Sequence, residues 1–268
     1  MKRLSSTCSG FRPTVETLED RCVPATFSVV GSTMTITGDG AAEMIDIRDN
    51  GDGDLTVVFG SSADVLAGRG TLRFASNISA VNVRGHGGND IVHFFQSGDR
   101  TRSMSLDVRL GDGRDIFLAD IEGDIDNTVL AMNVDGGDSG DFITVDASAD
   151  VDIGSLGALA VTLDGGDWSV GRDVLTVNYA GEMDGLLAFT ARGRGGPDHL
   201  HADVAFHCGS TGVMAGVLDG GQGDDHLFYH IHKDCPSDTL SIAVALVRGG
   251  MGDDSYDLTS NVQRRSGV

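Results

Sequence analysis

Lysine is nearly missing from this chain: Lys2 and Lys233 are the only two in 268 residues. Arginine carries almost all the positive charge, and 19 Lys and Arg face 40 Asp and Glu, a formal net charge of −21. A surface of that sign repels phosphate backbones, which argues against nucleic acid as a partner and suits a chain that concentrates cations. Long apolar runs are missing too. No stretch approaches the ~18 residues needed to cross a bilayer, so no transmembrane segment is expected. The N-terminus, MKRLSSTCSGFRPTVETLEDRCVPAT, starts basic but lacks the apolar core of about 7–15 residues that marks a secretory signal. The charge does not mean disorder, because 40% of the residues are hydrophobic and they are strongly patterned.

What the chain has in quantity is glycine, 39 residues, much of it in one recurring turn. The clearest copies are GHGGNDIVHF (85–94), LGDGRDIFLA (110–119), GGDSGDFITV (136–145), GRGGPDHLHA (193–202), GGQGDDHLFY (220–229) and GGMGDDSYDL (249–258). GGDWSVGRDVLTV (165–177) carries a longer turn, and GDGAAEMIDI (38–47) has Glu43 in place of the final aspartate. Those aspartates, Asp90, Asp115, Asp141, Asp173, Asp198, Asp225 and Asp254, are separated by 25, 26, 32, 25, 27 and 29 residues. The gap of 47 between Glu43 and Asp90 leaves room for one degenerate copy, around LAGRGTLRF.

Each turn opens a strand. Two positions past the acidic residue stand Ile45, Val92, Phe117, Ile143, Leu175, Leu200, Leu227 and Tyr256. Four past it stand Ile47, Phe94, Ala119, Val145, Val177, Ala202, Tyr229 and Leu258. All are apolar or aromatic, a period of two that means one buried face. Val83, Val108, Val134, Leu163, Ala191, Leu218 and Val247 hold a matched position before the turn. A unit of this size cannot bury its own apolar face, but stacked units bury a shared one. The expectation is an all-β chain, a parallel β-helix (β-solenoid) of eight or nine coils with Gly/Asp turns. A β-sandwich, the competing fold, would vary its turn chemistry.

GGQGDD followed by HLF, and GGMGDD followed by SYD, resemble the G-G-x-G-x-D-x-U-x nonapeptide of the repeats-in-toxin, or haemolysin-type, calcium-binding proteins. The resemblance implies Ca²⁺ held between stacked turns by glycine carbonyls and the final carboxylate. It assigns Gly220, Gly221, Gly223 and Asp225 to one turn and Gly249, Gly250, Gly252 and Asp254 to the next, with Asp198, Asp141, Asp115 and Asp90 as the matching aspartates of weaker copies. The chemistry is consistent, since calcium takes six to eight hard oxygens at ~2.3–2.6 Å. Two departures stand out: the family strings its nonapeptides in tandem, whereas here one copy falls in each 25–32 residues, and the long turn at 165–173, with Trp168, is expected to interrupt a ladder of sites. VETLEDRCVPAT (15–26) resembles a short element at the start of many surface or exported proteins of planctomycete bacteria, which implies an extracellular or cell-surface location.

The plainer reading is that glycine and aspartate are simply the default residues of tight turns, aspartate capping without a metal. Charge can also be balanced by stacking, Arg109 meeting Asp135, Asp164 meeting Arg192, and Asp219 meeting Arg192 and Arg248. GDSG (137–140) lies in register with the turn repeat rather than in a protease loop. DNGDGD (49–54) fits a polar turn better than an EF-hand, because Phe59 falls where the bidentate glutamate belongs. His199 and His226 stack at outward positions, where solvated surface is the default over a zinc or copper site.

Cys208 and Cys235 each lie ten residues past a turn aspartate, so adjacent coils stack them as a disulfide or as two apolar thiols. The chain thus divides into an export segment (1–26), a repeat domain (27–262) and a tail (263–268). The expected function is Ca²⁺ binding by a non-catalytic exported solenoid, with calcium ions and cell-surface or matrix components as partners. The alternatives are a metal-independent structural or adhesive module and a β-helix enzyme acting on acidic polysaccharide. The enzyme would want a basic cluster beside carboxylates, and none is visible.

Overall fold

The structure, a computed structural model, describes residues 25–166, 171–235 and 241–260. Most of the export segment, Trp168 and the tail lie outside these residues. The chain enters through an antiparallel cap. β1 (Thr26–Val30) lies against β2 (Thr33–Thr37), and β3 (Glu43–Asp49), β4 (Leu55–Ser61) and β5 (Thr71–Ala75) form a meander interrupted by a short helix, α1 (Ser62–Leu66). Strand pairs joined by Gly/Asp turns follow: β6 (Ala80–Gly87) with β7 (Ile91–Gln96), β8 (Met104–Asp112) with β9 (Ile116–Ile121), and β10 (Val129–Asp138) with β11 (Phe142–Ala147). Next come β12 (Ala158–Asp164) with β13 (Val174–Gly181), β14 (Leu186–Gly195) with β15 (His199–Phe206), β16 (Val213–Gln222) with β17 (His226–Lys233), and β18 (Ser241–Met251) with β19 (Ser255–Ser260).

Strands before the turns stack into a nine-stranded sheet, and those after them into a ten-stranded sheet. From β6 onward every pairing is parallel and joins one coil to the next. This is the expected parallel β-solenoid, but it runs for about six turns rather than eight or nine. The cause lies at the ends. LAGRGTLRF, read as a degenerate coil, instead finishes α1 and forms β5, antiparallel to β4. The last pair, β18 with β19, has no following coil among the described residues.

The expected columns are the core. Val92, Phe117, Ile143, Leu175, Leu200 and Leu227 stack in one file and Phe94, Ala119, Val145, Val177 and Ala202 in another, all buried. Each fully buried Val, Leu, Ile or Phe contributes ~1.5–3 kcal/mol. Tyr256 and Leu258, in the same files at the open end, are 50% and 55% exposed. Glycine is demanded where the coil turns: a Cβ on Gly221 (φ +105) would lie 2.2 Å from the carbonyl oxygen of Arg194 in the preceding coil. His86 and Arg194 adopt the same left-handed conformation at the matching position without that freedom.

A third, minimal face links four successive coils through single bridges, Arg100 to Ile125, Ile125 to Ile153 and Ile153 to Met183. At its N-terminal end the buried Arg100 guanidinium pairs with buried Asp49 and donates through Nε to Gln96 Oε1 at 2.9 Å. Towards the other end a disulfide joins Cys208 to Cys235, with Cα atoms 5.0 Å apart and a sequence separation of 27. Closing a loop of that length stabilises by roughly 3–4 kcal/mol in the chain-entropy model. Reduction, or Cys208→Ser with Cys235→Ser, should therefore lower the denaturant midpoint by a corresponding amount, measured by urea unfolding with and without reductant; an unchanged midpoint would show that the bridge does not restrain the coils.

Candidate functional site

The turn aspartates do not face solvent. Period-two alternation carries them onto the same side as the core residues two and four positions later, and Asp90, Asp115, Asp141, Asp173, Asp198 and Asp225 are all buried, with Glu43. They form one continuous column. The backbone N–H of Glu43 donates to Asp90 Oδ1 (2.8 Å), that of Asp90 to Asp115 Oδ1 (2.7 Å), and that of Asp115 to Asp141 Oδ1 (2.8 Å). Asp141 continues to Asp173 (2.8 Å), Asp173 to Asp198 (2.8 Å), Asp198 to Asp225 (2.9 Å) and Asp225 to Asp254 (3.1 Å). The capping expected of a turn aspartate is therefore present, but directed to the neighbouring coil. The hydrogen-bonded ladder passes through the long turn at 165–173 by way of Asp173.

The second oxygen of each carboxylate has a different fate. Asp90, Asp115, Asp141, Asp198 and Asp225 Oδ2, and Glu43 Oε2, are buried without any hydrogen-bond partner. All but that of Asp115, whose turn begins with Leu110, lie against the first glycine of their turn, beside a carbonyl of the next coil. A Cβ on Gly193 would meet Asp198 Oδ2 at 2.3 Å and the Gly220 carbonyl oxygen at 2.6 Å; one on Gly220 would meet Asp225 Oδ2 at 2.2 Å and the Gly249 carbonyl at 2.6 Å. Gly221, Gly223, Gly250 and Gly252 serve the stacking of the turns, all four at positive φ.

An unpartnered carboxylate in a dry corner resists ionisation. Burial raises Glu43 and Asp141 to about 8, Asp173 and Asp198 to about 7, and Asp115 to about 6. The backbone N–H pulls the aspartates the other way, and neighbouring carboxylates push them up further. Asp90 and Asp225 are also raised, again mainly by burial.

These oxygens suit a hard cation: at the turn a carboxylate oxygen with no donor lies close to a backbone carbonyl of the next coil. The ligands are not a cluster of side chains, and among the described residues no three His, Cys, Asp or Glu side chains gather as a metal group. The remaining expectations sort plainly. His199 and His226 do stack on the outer face, rings 5.1 Å apart, and Arg172 Nη2 lies 2.5 Å from His199 Nε2. Asp164 is adjacent to Arg192 in register but is held by Arg194 instead, Nε to Oδ1 at 2.8 Å.

A second acidic ladder was not anticipated. On the loop after each second-sheet strand, the N–H of Asp124 donates to Asp99 Oδ1 (3.3 Å), Asp152 to Asp124 (3.0 Å) and Glu182 to Asp152 (2.8 Å). Their separations of 25, 28 and 30 residues follow the turn repeat, a signal available in the sequence.

No known protein family, curated protein or solved structure matches the chain. No helix among the described residues is long and apolar enough to cross a membrane.

The raised carboxyls set a pH dependence. Unfolded, these groups titrate near pH 4; folded, they hold their protons to between about 6 and about 8. The folded state thus binds more protons in that window, and its stability falls as pH rises. Without divalent cations, the thermal midpoint should drop steadily from about pH 4 to about pH 8. A flat or rising profile would mean the corners hold ionised carboxylates without cost.

Proposed function

We propose that this chain is a non-catalytic β-solenoid whose Gly/Asp corners bind Ca²⁺. The observation that carries the reading is the file of buried carboxylate oxygens with no hydrogen-bond partner, which at Glu43, Asp90, Asp141, Asp198 and Asp225 lie beside a backbone carbonyl of the next coil. A divalent cation would neutralise carboxylates that burial otherwise keeps protonated, and would tie two coils through one ion. Glu43, Asp90, Asp141, Asp173, Asp198 and Asp225 would supply carboxylate oxygens, and glycine carbonyls such as those of Gly85, Gly165, Gly193, Gly220 and Gly249 the rest. The resemblance of GGQGDD and GGMGDD to haemolysin-type repeats supports the same reading. So does the acidic balance of −21. Export to an extracellular or cell-surface location belongs to the proposal, resting on the VETLEDRCVPAT element and agreeing with the Cys208–Cys235 bridge.

One specific observation favours a metal-independent structural module instead: the other oxygen of every carboxylate already caps a backbone N–H, so the ladder is connected without an ion. Thermal unfolding at pH 7.5 separates the two. Binding to the folded state alone stabilises by about 2.7 kcal/mol per site at a hundredfold excess over Kd. Adding millimolar Ca²⁺ to metal-free protein should raise the midpoint by many degrees, Mg²⁺ should do much less, and Asp198→Asn should remove part of the gain. A midpoint indifferent to Ca²⁺ would leave the protein as the metal-independent module.

A further inference from the structure

The first position of the turn is glycine in every coil but one. The register aligns Gly85, Leu110 and Gly136 in adjacent strands, because Arg84 pairs with Arg109 and His86 with Gly111, while Asp135 pairs with Arg109 and Gly137 with Gly111. Leu110 follows the inward side of its strand with Leu106 and Val108 and is completely buried.

At the other coils this position is where two oxygens converge. A Cβ on Gly38 would lie 2.4 Å from Glu43 Oε2 and 2.7 Å from the Gly85 carbonyl; on Gly85, 2.4 Å from Asp90 Oδ2 and 2.1 Å from the Leu110 carbonyl. On Gly136 the distances are 2.5 Å to Asp141 Oδ2 and 2.8 Å to the Gly165 carbonyl, and on Gly165 2.3 Å to Asp173 Oδ2 and 2.8 Å to the Gly193 carbonyl. Gly193 and Gly220 repeat the arrangement. Leu110 has a real Cβ, and an isopropyl group beyond it, on that side of the strand. Asp115 still caps Asp90, yet its Oδ2 stays buried and unpartnered.

We infer that Leu110 closes one position in the file of cation sites, the one between Asp115 and the carbonyl of Gly136. The inference rests on the calcium reading of the corners. The file is then split into a short group at Glu43 and Asp90 and a longer one from Asp141 to Asp225. Asp115 keeps its structural hydrogen bond and does not hold an ion.

The test counts ions. Metal-stripped full-length chain is returned to Ca²⁺ and examined by native mass spectrometry, as wild type, Leu110→Gly, Leu110→Ala and Gly193→Ala. Leu110→Gly should hold one ion more than wild type. Leu110→Ala, which loses the same packing but keeps its Cβ, should hold the wild-type number. Gly193→Ala, whose Cβ intrudes on Asp198 Oδ2, should hold one fewer. A folded Leu110→Gly with the wild-type count overturns the inference; if that variant does not fold, a Gly193→Ala count equal to wild type overturns it. A wild type that binds no Ca²⁺ overturns the calcium reading itself, an outcome distinct from calcium binding that ignores Leu110.

Discussion

Everything in this fold hangs on the hydrogen bond between a corner carboxylate and the backbone N–H at the same corner of the preceding coil. Core side chains stack equally well if a coil slides by two residues, because every second position is apolar. The corner bond does not tolerate such a slide. It fixes each coil relative to its neighbour through one oxygen, and it runs unbroken from Glu43 to Asp254. The price is the other oxygen, left in a dry corner with nothing to accept from.

That constraint explains the composition. An inward carboxylate folded over its own turn needs a residue with no side chain beneath it, hence the first glycine; a tight stack of turns needs positive φ close to the carbonyl of the previous coil, hence the later ones. Where glycine is replaced, the replacement has a local consequence: His86 and Arg194 strain the backbone, and Leu110 fills a corner. The third face carries less of the load, with single bridges, one buried ion pair at Arg100 and Asp49, and a disulfide towards the other end.

Much of this was legible in the sequence. The spacing of the aspartates and the alternation after each of them lead to a parallel solenoid with the right columns, and the matched cysteines lead to adjacent coils. The misreadings have physical causes. Residues 50–79 alternate as a coil would, since antiparallel and parallel strands share a period of two, so only pairing direction reveals the cap. The inward direction of the aspartates was available by parity, because Asp90 stands an even number of residues from Val92 and Phe94, but turn aspartates are ordinarily solvated. The Arg100–Asp49 pair joins residues 51 apart across the cap, which no repeat spacing encodes.

The central claim is that the second corner oxygen is satisfied by a proton or by a calcium ion, and by nothing else. Infrared spectroscopy of the carboxyl stretch tests this directly, because protonated carboxylic acids absorb apart from carboxylates. In metal-free protein near neutral pH the account predicts a protonated-carboxyl band, weakened by Asp141→Asn and strongly reduced when Ca²⁺ is added. A metal-free spectrum without that band, or a band that persists unchanged in saturating Ca²⁺, would contradict it.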